Sequence, residues 1–296
     1  MSIDGKTEIL CIFGHPVAHS KSPLMHNALF KELSINAAYI PFGPEPESFD
    51  DAVRGFRAMK CRGANVTIPF KTEFMDSDGN PRLVDELSPI SKFTGSVNTL
   101  YWKDGVVGGT LCGTTTDPYG CIRNLEEHGV CVSNKKVALL GNGGAAKAIA
   151  YALVDQGNSL TIVCRTLEKG QALANGLNKA NSSAHVDVST FSEFQPISKN
   201  FDIIVNATSV GMTPNIDESP IAADCLHAGQ VVCDIVYTPP HTKLLQMAES
   251  KGCKTVSGEG MLVHQGLESF KKWFPAETAN KSNEDLTAIM RKGMGA

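Results

Sequence analysis

Apolar and polar positions follow two alternating patterns along the whole chain. Short runs rich in β-branched and other apolar residues are followed by longer segments whose apolar positions recur at helical spacing. This alternation is typical of an α/β protein with a largely parallel sheet. The runs predict strands at residues 8–13, 36–42, 63–68, 136–140, 160–164, 202–206 and 231–235.

Local signals place helices and loops between these strands. Ser22 and Pro23 predict a helix start, with Ser22 as the N-cap and Pro23 at the first helical position. The predicted buried face of this helix consists of Leu24, Ala28, Leu29 and Leu33. Residues 71–81 are polar and contain a Ser-Asp-Gly-Asn-Pro loop signal, which predicts an exposed excursion. Apolar spacing in residues 261–274 predicts a final helical segment.

Composition and charge narrow the class of protein. The chain has 296 residues, enough for two domains, and its 42% hydrophobic and 20% charged residues suit a packed globular protein. A formal net charge of −4 argues against a nucleic-acid partner. The first ten residues show no basic stretch followed by an apolar one, and no apolar run approaches the ~20 residues that cross a bilayer. We expect no secretory signal and no membrane partner.

The cysteines and histidines show no spacing that indicates a metal site or a disulfide framework. Nine cysteines are scattered without a Cys-x-x-Cys pair, and the eight histidines have no metal-ligand spacing with them. We interpret the cysteines as reduced, mostly buried thiols of a cytoplasmic protein, in preference to disulfides or structural zinc. No metal is predicted.

A glycine-rich turn follows the predicted strand at residues 136–140. The turn has the pattern Gly141-x-Gly143-x-x-Ala146 and leads into helix-forming residues. In dinucleotide-binding proteins such a turn lets the backbone approach the pyrophosphate, and the helix N-terminus supplies N–H groups to an anion. The pattern alone could equally be a turn of small residues. Its position between a strand and a helix in an alternating chain favours a cofactor site.

The end of the next strand indicates which dinucleotide would bind. NAD-specific sites usually place an acidic residue there, about 20 residues after the turn. Here the strand ends in Arg165 and Thr166, with Lys169 shortly after, and this set suits a 2′-phosphate. We therefore predict NADP, with a solvated basic edge as the alternative.

Polar residues of the first half form short motifs, each with a simpler local interpretation. Ser20 and Ser22 lie at a strand-to-helix junction that would accept a carboxylate, although Ser22 could serve only as an N-cap. Lys71 follows the strand that Pro69 ends, and by itself would be a surface residue. Asp117 lies between Thr116 and a proline, which a helix N-terminus explains.

Taken together, these motifs resemble the shikimate dehydrogenase family over nearly the whole chain. The matching segments, in chain order, are Gly14-x-Pro16-x-x-His19-Ser20-x-Ser22-Pro23-x-x-His26-Asn27, Asn65-Val66-Thr67-x-Pro69-x-Lys71, Gly95-x-Val97-Asn98-Thr99, Gly113-x-x-Thr116-Asp117-x-x-Gly120, Gly141-x-Gly143-Gly144-Ala145, Arg165-Thr166-x-x-Lys169, Asn206-Ala207-Thr208-Ser209-x-Gly211-Met212, Asp234-x-x-Tyr237-x-Pro239 and Gly258-x-x-Met261-Leu262-Val263-x-Gln265.

The resemblance implies a two-domain α/β fold and the NADP-dependent, reversible reduction of 3-dehydroshikimate to shikimate, a step towards aromatic amino acids. Residues 1–115 with 259–296 would form a substrate domain with a mixed sheet, to which the C-terminal helices return. Residues 116–258 would form a doubly wound, Rossmann-type cofactor domain, and the active site would lie in the cleft between the domains. A monomer or a homodimer is expected.

The resemblance also implies a role for particular residues. Lys71 and Asp117 would be the catalytic pair. Ser20 and Ser22 would bind the substrate carboxylate, and the remaining substrate contacts would come from Thr67, Asn98, Asp117, Tyr237 and Gln265. The expected cofactor contacts are Gly141, Asn142, Gly143, Gly144, Ala145, Arg165, Thr166, Lys169, Thr208, Ser209, Met212, Ile235, Gly258 and Met261.

Three departures from the family pattern leave room for other functions. Thr115 and Cys164 each replace an asparagine that is usual in the family, and the excursion from Thr72 to Arg82 is longer than expected. These differences are compatible with drift, or with a relative that acts on quinate or an amino-substituted analogue. Two further alternatives are a non-catalytic NADP-binding regulator, against which Lys71 and Asp117 weigh, and a different Rossmann enzyme such as a folate dehydrogenase, against which the motifs of Ser20, Ser22 and Asn98 weigh.

Overall fold

The computed structural model describes residues 3–295. Its strands are β1 Glu8–Phe13, β2 Ala37–Phe42, β3 Gly63–Val66, β4 Glu86–Leu87, β5 Thr99–Trp102, β6 Leu111–Thr114, β7 Lys136–Leu140, β8 Ser159–Val163, β9 His185–Ser189, β10 Ile203–Asn206, β11 Val231–Asp234 and β12 Lys254–Val256. Its helices are α1 Ser22–Glu32, α2 Phe49–Ala58, α3 Pro89–Thr94, α4 Asp117–Glu127, α5 Gly144–Asp155, α6 Leu167–Ala180, α7 Phe191–Ile197, α8 Lys243–Ser250, α9 Gly258–Trp273, α10 Pro275–Thr278 and α11 Asn283–Met294.

The chain divides into two compact units. The first contains the chain up to Thr116 and again from Gln265 onward, and the second contains Asp117–His264. Both divisions fall at or within helices, because Asp117 opens α4 and the second division lies inside α9. The resemblance implied a second domain boundary after residue 258, where α9 begins.

The first unit is built on a six-stranded mixed sheet with the order β2-β1-β3-β5-β6-β4. β5 runs antiparallel to both β3 and β6, whereas β1 is parallel to β2 and β3. Helix α11 packs on α1, so the C-terminal chain returns to this unit. One side of the sheet buries an aromatic cluster that includes Phe13, Phe49 and Phe56.

The second unit contains a six-stranded parallel sheet with the order β12-β11-β10-β7-β8-β9. The order starts at β7 and extends in both directions, as in a doubly wound dinucleotide-binding sheet. Because all strands are parallel, their carboxyl ends lie at one edge. The turn at Gly141 and the loops after β8, β10 and β11 therefore leave the same edge of the sheet.

These sheets confirm the predicted α/β class and its mixed and parallel halves. β1 and β7 have the predicted bounds, and β2, β3, β8, β10 and β11 differ from prediction by one or two residues at an end. The short strands β4, β5, β6, β9 and β12 were not predicted. β9 lies at the edge of its sheet, where exposed His185 and Asp187 interrupt the apolar pattern that would mark a buried strand.

The prediction for α1 was partly wrong. The N-cap is Lys21, so Ser22 is the first helical residue and its side chain caps nothing. Leu24 is 54% exposed, whereas the buried face contains Ser22, Met25, His26, Leu29 and Phe30. Prediction of the buried face from apolar spacing failed because this face buries a serine and a histidine in place of two aliphatic residues.

The prediction of an exposed excursion at residues 71–81 holds for most of the segment, including Thr72, Glu73 and the tip. Phe74 is buried and Met75 is half-buried, while residues 76–81 are exposed. A bridge between Met75 and Pro81 closes the base of the loop. Polar composition described the tip but concealed the two apolar side chains that attach the segment to the core.

Candidate active site

Lys71 lies on a single 3-10 turn, Phe70–Thr72, that follows β3. Its carbonyl oxygen accepts a hydrogen bond from the N–H of Val97 at 2.8 Å, and Glu73 N–H donates to Phe70 at 3.1 Å. The ring of Phe70 stacks on Phe49 with centroids 4.1 Å apart and an interplanar angle of 2°. Lys71 is half-buried, and its backbone is held by hydrogen bonds and ring packing.

Asn98 and Gln265 meet in a buried polar network within the first unit. Asn98 Nδ2 donates to Gln265 Oε1 at 3.3 Å and to Thr116 Oγ1 at 3.0 Å. Asn98 Oδ1 accepts from Thr116 N–H at 2.9 Å, and its carbonyl accepts from Val66 N–H at 2.8 Å. The segment that carries Asn98 therefore connects the end of β3 to Lys71 through Val97 and to α9 through Gln265.

Ser20, Ser22 and Thr67 lie on two backbone segments of the first unit. Ser22 N–H donates to Ser20 Oγ at 3.3 Å, and Ser22 is only 4% exposed. Thr67 is half-buried, and its methyl group occupies the space where a Cβ at Gly14 would lie. Gly14 therefore has to be a glycine, because any side chain would displace Thr67 from the end of β3.

Asp117 opens α4 in the second unit, and it is 5% exposed. Carboxylates are favoured at a helix N-terminus, where the backbone N–H groups point outward. Tyr237 follows β11 and is half-buried, and burial raises the pKa of its phenol. It therefore remains a neutral hydroxyl that can donate or accept a hydrogen bond at physiological pH.

The glycine-rich turn has the geometry of an anion site. Gly141 has φ of +110°, which a residue with a side chain rarely adopts, and its N–H donates to Val163 at 2.8 Å. Gly143 precedes α5 as an exposed N-cap, and a Cβ there would meet nothing within 4 Å. The N–H groups of the first turn, from Gly144 and Ala145 onward, have no acceptor within their own helix.

Asn142 adds a donor to this turn. Its Nδ2 is buried and has no hydrogen-bond partner among residues 3–295. A buried amide without an acceptor is costly unless a ligand supplies one. The open space at Gly143 and this donor fit a pyrophosphate that approaches the helix N-terminus.

The basic residues after β8 form an exposed group at the same sheet edge. Arg165, Thr166 and Lys169 are all exposed at the start of α6. The thiol of Cys164, which is buried, donates to the carbonyl of Thr166 at 3.3 Å. This contact fixes the turn that presents the guanidinium and the hydroxyl.

The loops after β10 and β11 are joined by a buried carboxylate network. Asp234 accepts hydrogen bonds from Asn206 Nδ2 at 3.0 Å, Val236 N–H at 3.0 Å and Thr242 Oγ1 at 2.7 Å. Asn206 Oδ1 in turn accepts from Thr208 N–H at 3.0 Å and Oγ1 at 2.7 Å. Burial outweighs these donors and raises the pKa of Asp234 to about 6.

The remaining predicted cofactor residues lie on the same loops or on α9. Ser209 and Met212 are exposed in the loop after β10, whereas Met261 is buried on α9. Gly258 begins α9 so close to β11 that a Cβ would overlap the carbonyl oxygen of Ile235. The structure thus brings Gly258 and Ile235, two of the predicted cofactor contacts, together.

Three further residues form a buried hydrogen-bond network beside Asn98, and the sequence assigned none of them a role in the site. Ser269 Oγ lies 2.7 Å from Thr99 Oγ1 and accepts from Asn65 Nδ2 at 3.0 Å. Asn65 and Thr99 stand inside two of the matched motifs, and Ser269 follows Gln265 by one helical turn on α9. For Ser269, the four-residue spacing from Gln265 on a helix was the available signal.

Within residues 3–295, no group of three or more His, Cys, Asp or Glu side chains is arranged to hold a metal ion. None of the described helices combines the length and apolar character needed to cross a bilayer.

Comparison with known proteins identifies relatives of the whole chain. Residues 12–100 match the model of the shikimate dehydrogenase substrate binding domain, and residues 124–236 match that of shikimate / quinate 5-dehydrogenase. Shikimate dehydrogenase (NADP(+)) of Methanothermobacter thermautotrophicus is 40% identical over 274 residues, 92% of each chain.

Solved structures show the same likeness. A crystal structure of a shikimate dehydrogenase in complex with NADP+ has a TM-score of 0.85 at 35% identity, covering 99% of this chain and 96% of that one. Quinate dehydrogenase from Corynebacterium glutamicum in complex with NAD has a TM-score of 0.84 at 26% identity, covering 97% and 99%. By these matches and by its fold, the chain belongs to the shikimate dehydrogenase family.

Proposed function

We propose that this chain catalyses the reversible, NADP-dependent reduction of 3-dehydroshikimate to shikimate. The observation that carries the proposal is a set of hydrogen bonds within the first unit. There Val97 N–H binds the carbonyl of Lys71 while Asn98, one residue on, binds Gln265. Hydrogen bonds thus connect the segments that carry a proton donor and two amides suited to ring hydroxyls, which is what a polyhydroxylated ring substrate requires.

Lys71 and Asp117 are proposed as the catalytic residues. Reduction of a ketone builds negative charge on its oxygen, and a lysine ammonium can stabilise that charge and then donate the proton. In the reverse direction the neutral amine removes the proton from the hydroxyl. Asp117 would accept a hydrogen bond from the same hydroxyl and orient it.

The substrate carboxylate is proposed to bind Ser20 and Ser22, whose hydroxyls lie at the start of α1. Thr67, Asn98, Gln265 and Tyr237 would form hydrogen bonds to the ring hydroxyls. Thr67 and Asn98 are held by backbone bonds to Phe13 and Val66, so the free molecule already positions them. Preorganisation of this kind reduces the entropy lost on binding.

NADP is proposed to bind the edge of the second unit. Gly143, Gly144 and Ala145 would hold the pyrophosphate with Asn142, and Arg165, Thr166 and Lys169 the 2′-phosphate. The bound cofactor supplies the hydride that is exchanged with the carbinol carbon of the substrate. The chain contributes the orientation, through the residues that follow β10 and β11 and through Gly258 and Met261 of α9.

The domain roles follow from these assignments. Residues 1–115 with 259–296 would bind substrate, and residues 116–258 would bind cofactor. Eight of the nine cysteines are buried and all nine are unpaired, which supports a reducing, cytoplasmic location. The state of association is proposed to be a monomer or a homodimer.

A steady-state assay that crosses shikimate and quinate with NADP+ and NAD+ tests the proposal. The expected result is the highest kcat/KM for shikimate with NADP+. A higher kcat/KM for quinate would instead assign the chain to the quinate branch of the family. Binding of NADP+ without turnover of either acid would identify a non-catalytic NADP-binding protein.

A further inference from the structure

The loop from Glu73 to Arg82 has a base that is anchored in the first unit. Phe74, which is 1% exposed, packs edge-on against Phe49 with ring centroids 5.7 Å apart. Arg82 N–H donates to the carbonyl of Phe74 at 2.9 Å, and Met75 bridges to Pro81. This base begins three residues after Lys71, so its anchoring restrains the chain on one side of the turn that carries Lys71.

The tip of the loop is stabilised by its own contacts. Asp76 Oδ1 accepts hydrogen bonds from the N–H groups of Asp78 at 2.9 Å and Asn80 at 2.8 Å. Asp76 N–H donates to the carbonyl of Asn80 at 3.0 Å. Because these bonds lie within five exposed residues, changes to an exposed side chain at the tip should leave the base intact.

Arg82 connects the base to two separate parts of the unit. Its Nη1 donates to the carbonyl of Glu73 at 2.9 Å, two residues after Lys71. Its Nη2 forms an ion pair with Asp50 on α2. Asp50 follows Phe49, and Phe49 stacks on Phe70, the residue before Lys71. The guanidinium therefore completes a closed set of contacts around the backbone of Lys71.

We propose that Arg82 is a positioning residue for Lys71, and that the long excursion serves to supply it. The inference rests on the proposed role of Lys71 in proton transfer. Two separate N–H donors act on a carbonyl and a carboxylate at once, which a planar guanidinium can do and a lysine ammonium cannot do in the same geometry. Without Arg82, the carbonyl of Glu73 and the carboxylate of Asp50 lose their shared donor.

Arg82→Met tests the proposal, with Asp78→Ala at the tip of the same loop as the matched control. Misplacement of a catalytic group lowers the rate sharply, so kcat of Arg82→Met should fall between about 10- and 100-fold, with KM for NADP+ unchanged. The solvent deuterium isotope effect on kcat should rise, because transfer of the proton becomes slower. Asp78→Ala should behave as the wild type in all three measurements.

Two further variants separate positioning from folding. In Arg82→Met the carboxylate of Asp50 loses the guanidinium as its partner. Adding Asp50→Asn removes that charge, so the double variant should regain the unfolding temperature of the wild type but not its kcat. Arg82→Lys keeps the charge and should also keep the defect in kcat. A variant that merely lowered the folded fraction would leave the isotope effect unaltered.

Lys71→Ala is measured beside them to separate this inference from the proposed function. If Lys71→Ala loses activity while Arg82→Met keeps the wild-type kcat per folded molecule and isotope effect, Arg82 has no positioning role. Recovery of kcat in the double variant or in Arg82→Lys would also overturn the inference. Near-normal kcat in Lys71→Ala would contradict the proposed role of Lys71, on which this inference rests, whereas a wild type that turns over neither acid would contradict the proposed function.

Discussion

Asn206 and Asp234 join the ends of two neighbouring parallel strands, with Asn206 Nδ2 3.0 Å from Asp234 Oδ1. Thr242, which caps α8, donates to the second carboxylate oxygen. Asp234 is completely buried, and burial raises the pKa of its carboxyl to about 6. The loops that carry the proposed contacts Thr208 and Ile235 are therefore connected through one carboxyl group.

Asp234→Asn should change how stability depends on pH. The pKa of Asp234 is about 6 in the folded protein against 3.8 ordinarily, so the folded state holds a proton that the unfolded state releases. The free energy of unfolding should therefore decrease as pH rises from about 4 to about 6, by at most about 3 kcal/mol. The substituted amide cannot titrate, so the variant should lack this contribution in urea unfolding curves. If the free energy of unfolding depended on pH in the same way in the wild type and the variant, this prediction would be contradicted. Asp217→Asn, at an exposed position, is the control.

His26→Phe should remove a pH dependence of stability that has the opposite sign to that of Asp234. The ring of His26 is fully buried and stacks on Tyr39 at 4.4 Å between centroids. Burial lowers the pKa of His26 from 6.5 to about 3, against a smaller contribution from Asn65 that raises it. Between these values only the unfolded state takes up the proton, so the wild type should lose about 1.4 kcal/mol per pH unit as pH falls. The free energy of unfolding of the phenylalanine variant should decrease less over that range. If chemical denaturation showed the same decrease with falling pH in both proteins, His26 would not be a buried neutral imidazole.

Arg165→Asp should weaken the binding of NADP+ and reduce the preference of the enzyme for NADP+ over NAD+. Loss of a charge-assisted hydrogen bond to phosphate typically costs about 1.5–3 kcal/mol, which corresponds to roughly 10- to 100-fold in affinity. The KM for both cofactors gives the ratio, and Lys179→Asp, exposed in the last turn of α6, controls for the charge change. An unchanged KM ratio would remove Arg165 from the phosphate site.

Lys71→Ala should reduce kcat by at least ~10²-fold, the usual loss for an acid–base group. KM for NADP+ and the unfolding temperature should stay near the wild-type values, since the side chain is half-buried and its backbone contacts remain. Lys92→Ala on α3, an exposed lysine of the same unit, is the matched control. A kcat close to that of Lys92→Ala would exclude Lys71 as the proton donor.

The sequence predicts the strands that are buried on both faces, but it does not predict strands at the edges of the sheets. After a charged first residue, β1 and β7 are continuous apolar runs that a glycine follows, so their bounds were predicted correctly. β9 carries exposed residues at alternate positions and β4 has only two residues, so neither gives a clear signal. Ser22 and Leu24 were misassigned because the buried face of α1 is chosen by packing against the sheet and α11, which local spacing cannot reveal.

The candidate site was predicted as a set of residues but not as a set of contacts. Motif order along the chain named Asn98 and Gln265, which lie 167 positions apart, yet only the fold brings their side chains together. Asp234 likewise stands in a matched motif, but the sequence does not show that its carboxyl group binds Asn206 and Thr242. Arg82 was included only in an excursion of unexplained length, because its partner Asp50 lies on another element.

Product analysis of wild-type protein with shikimate and NADP+ tests the central claim most directly. We predict that 3-dehydroshikimate and NADPH form in equal amounts, and that adding NADPH and 3-dehydroshikimate reverses the reaction. Tight binding of NADP+ with no product in either direction would contradict the claim.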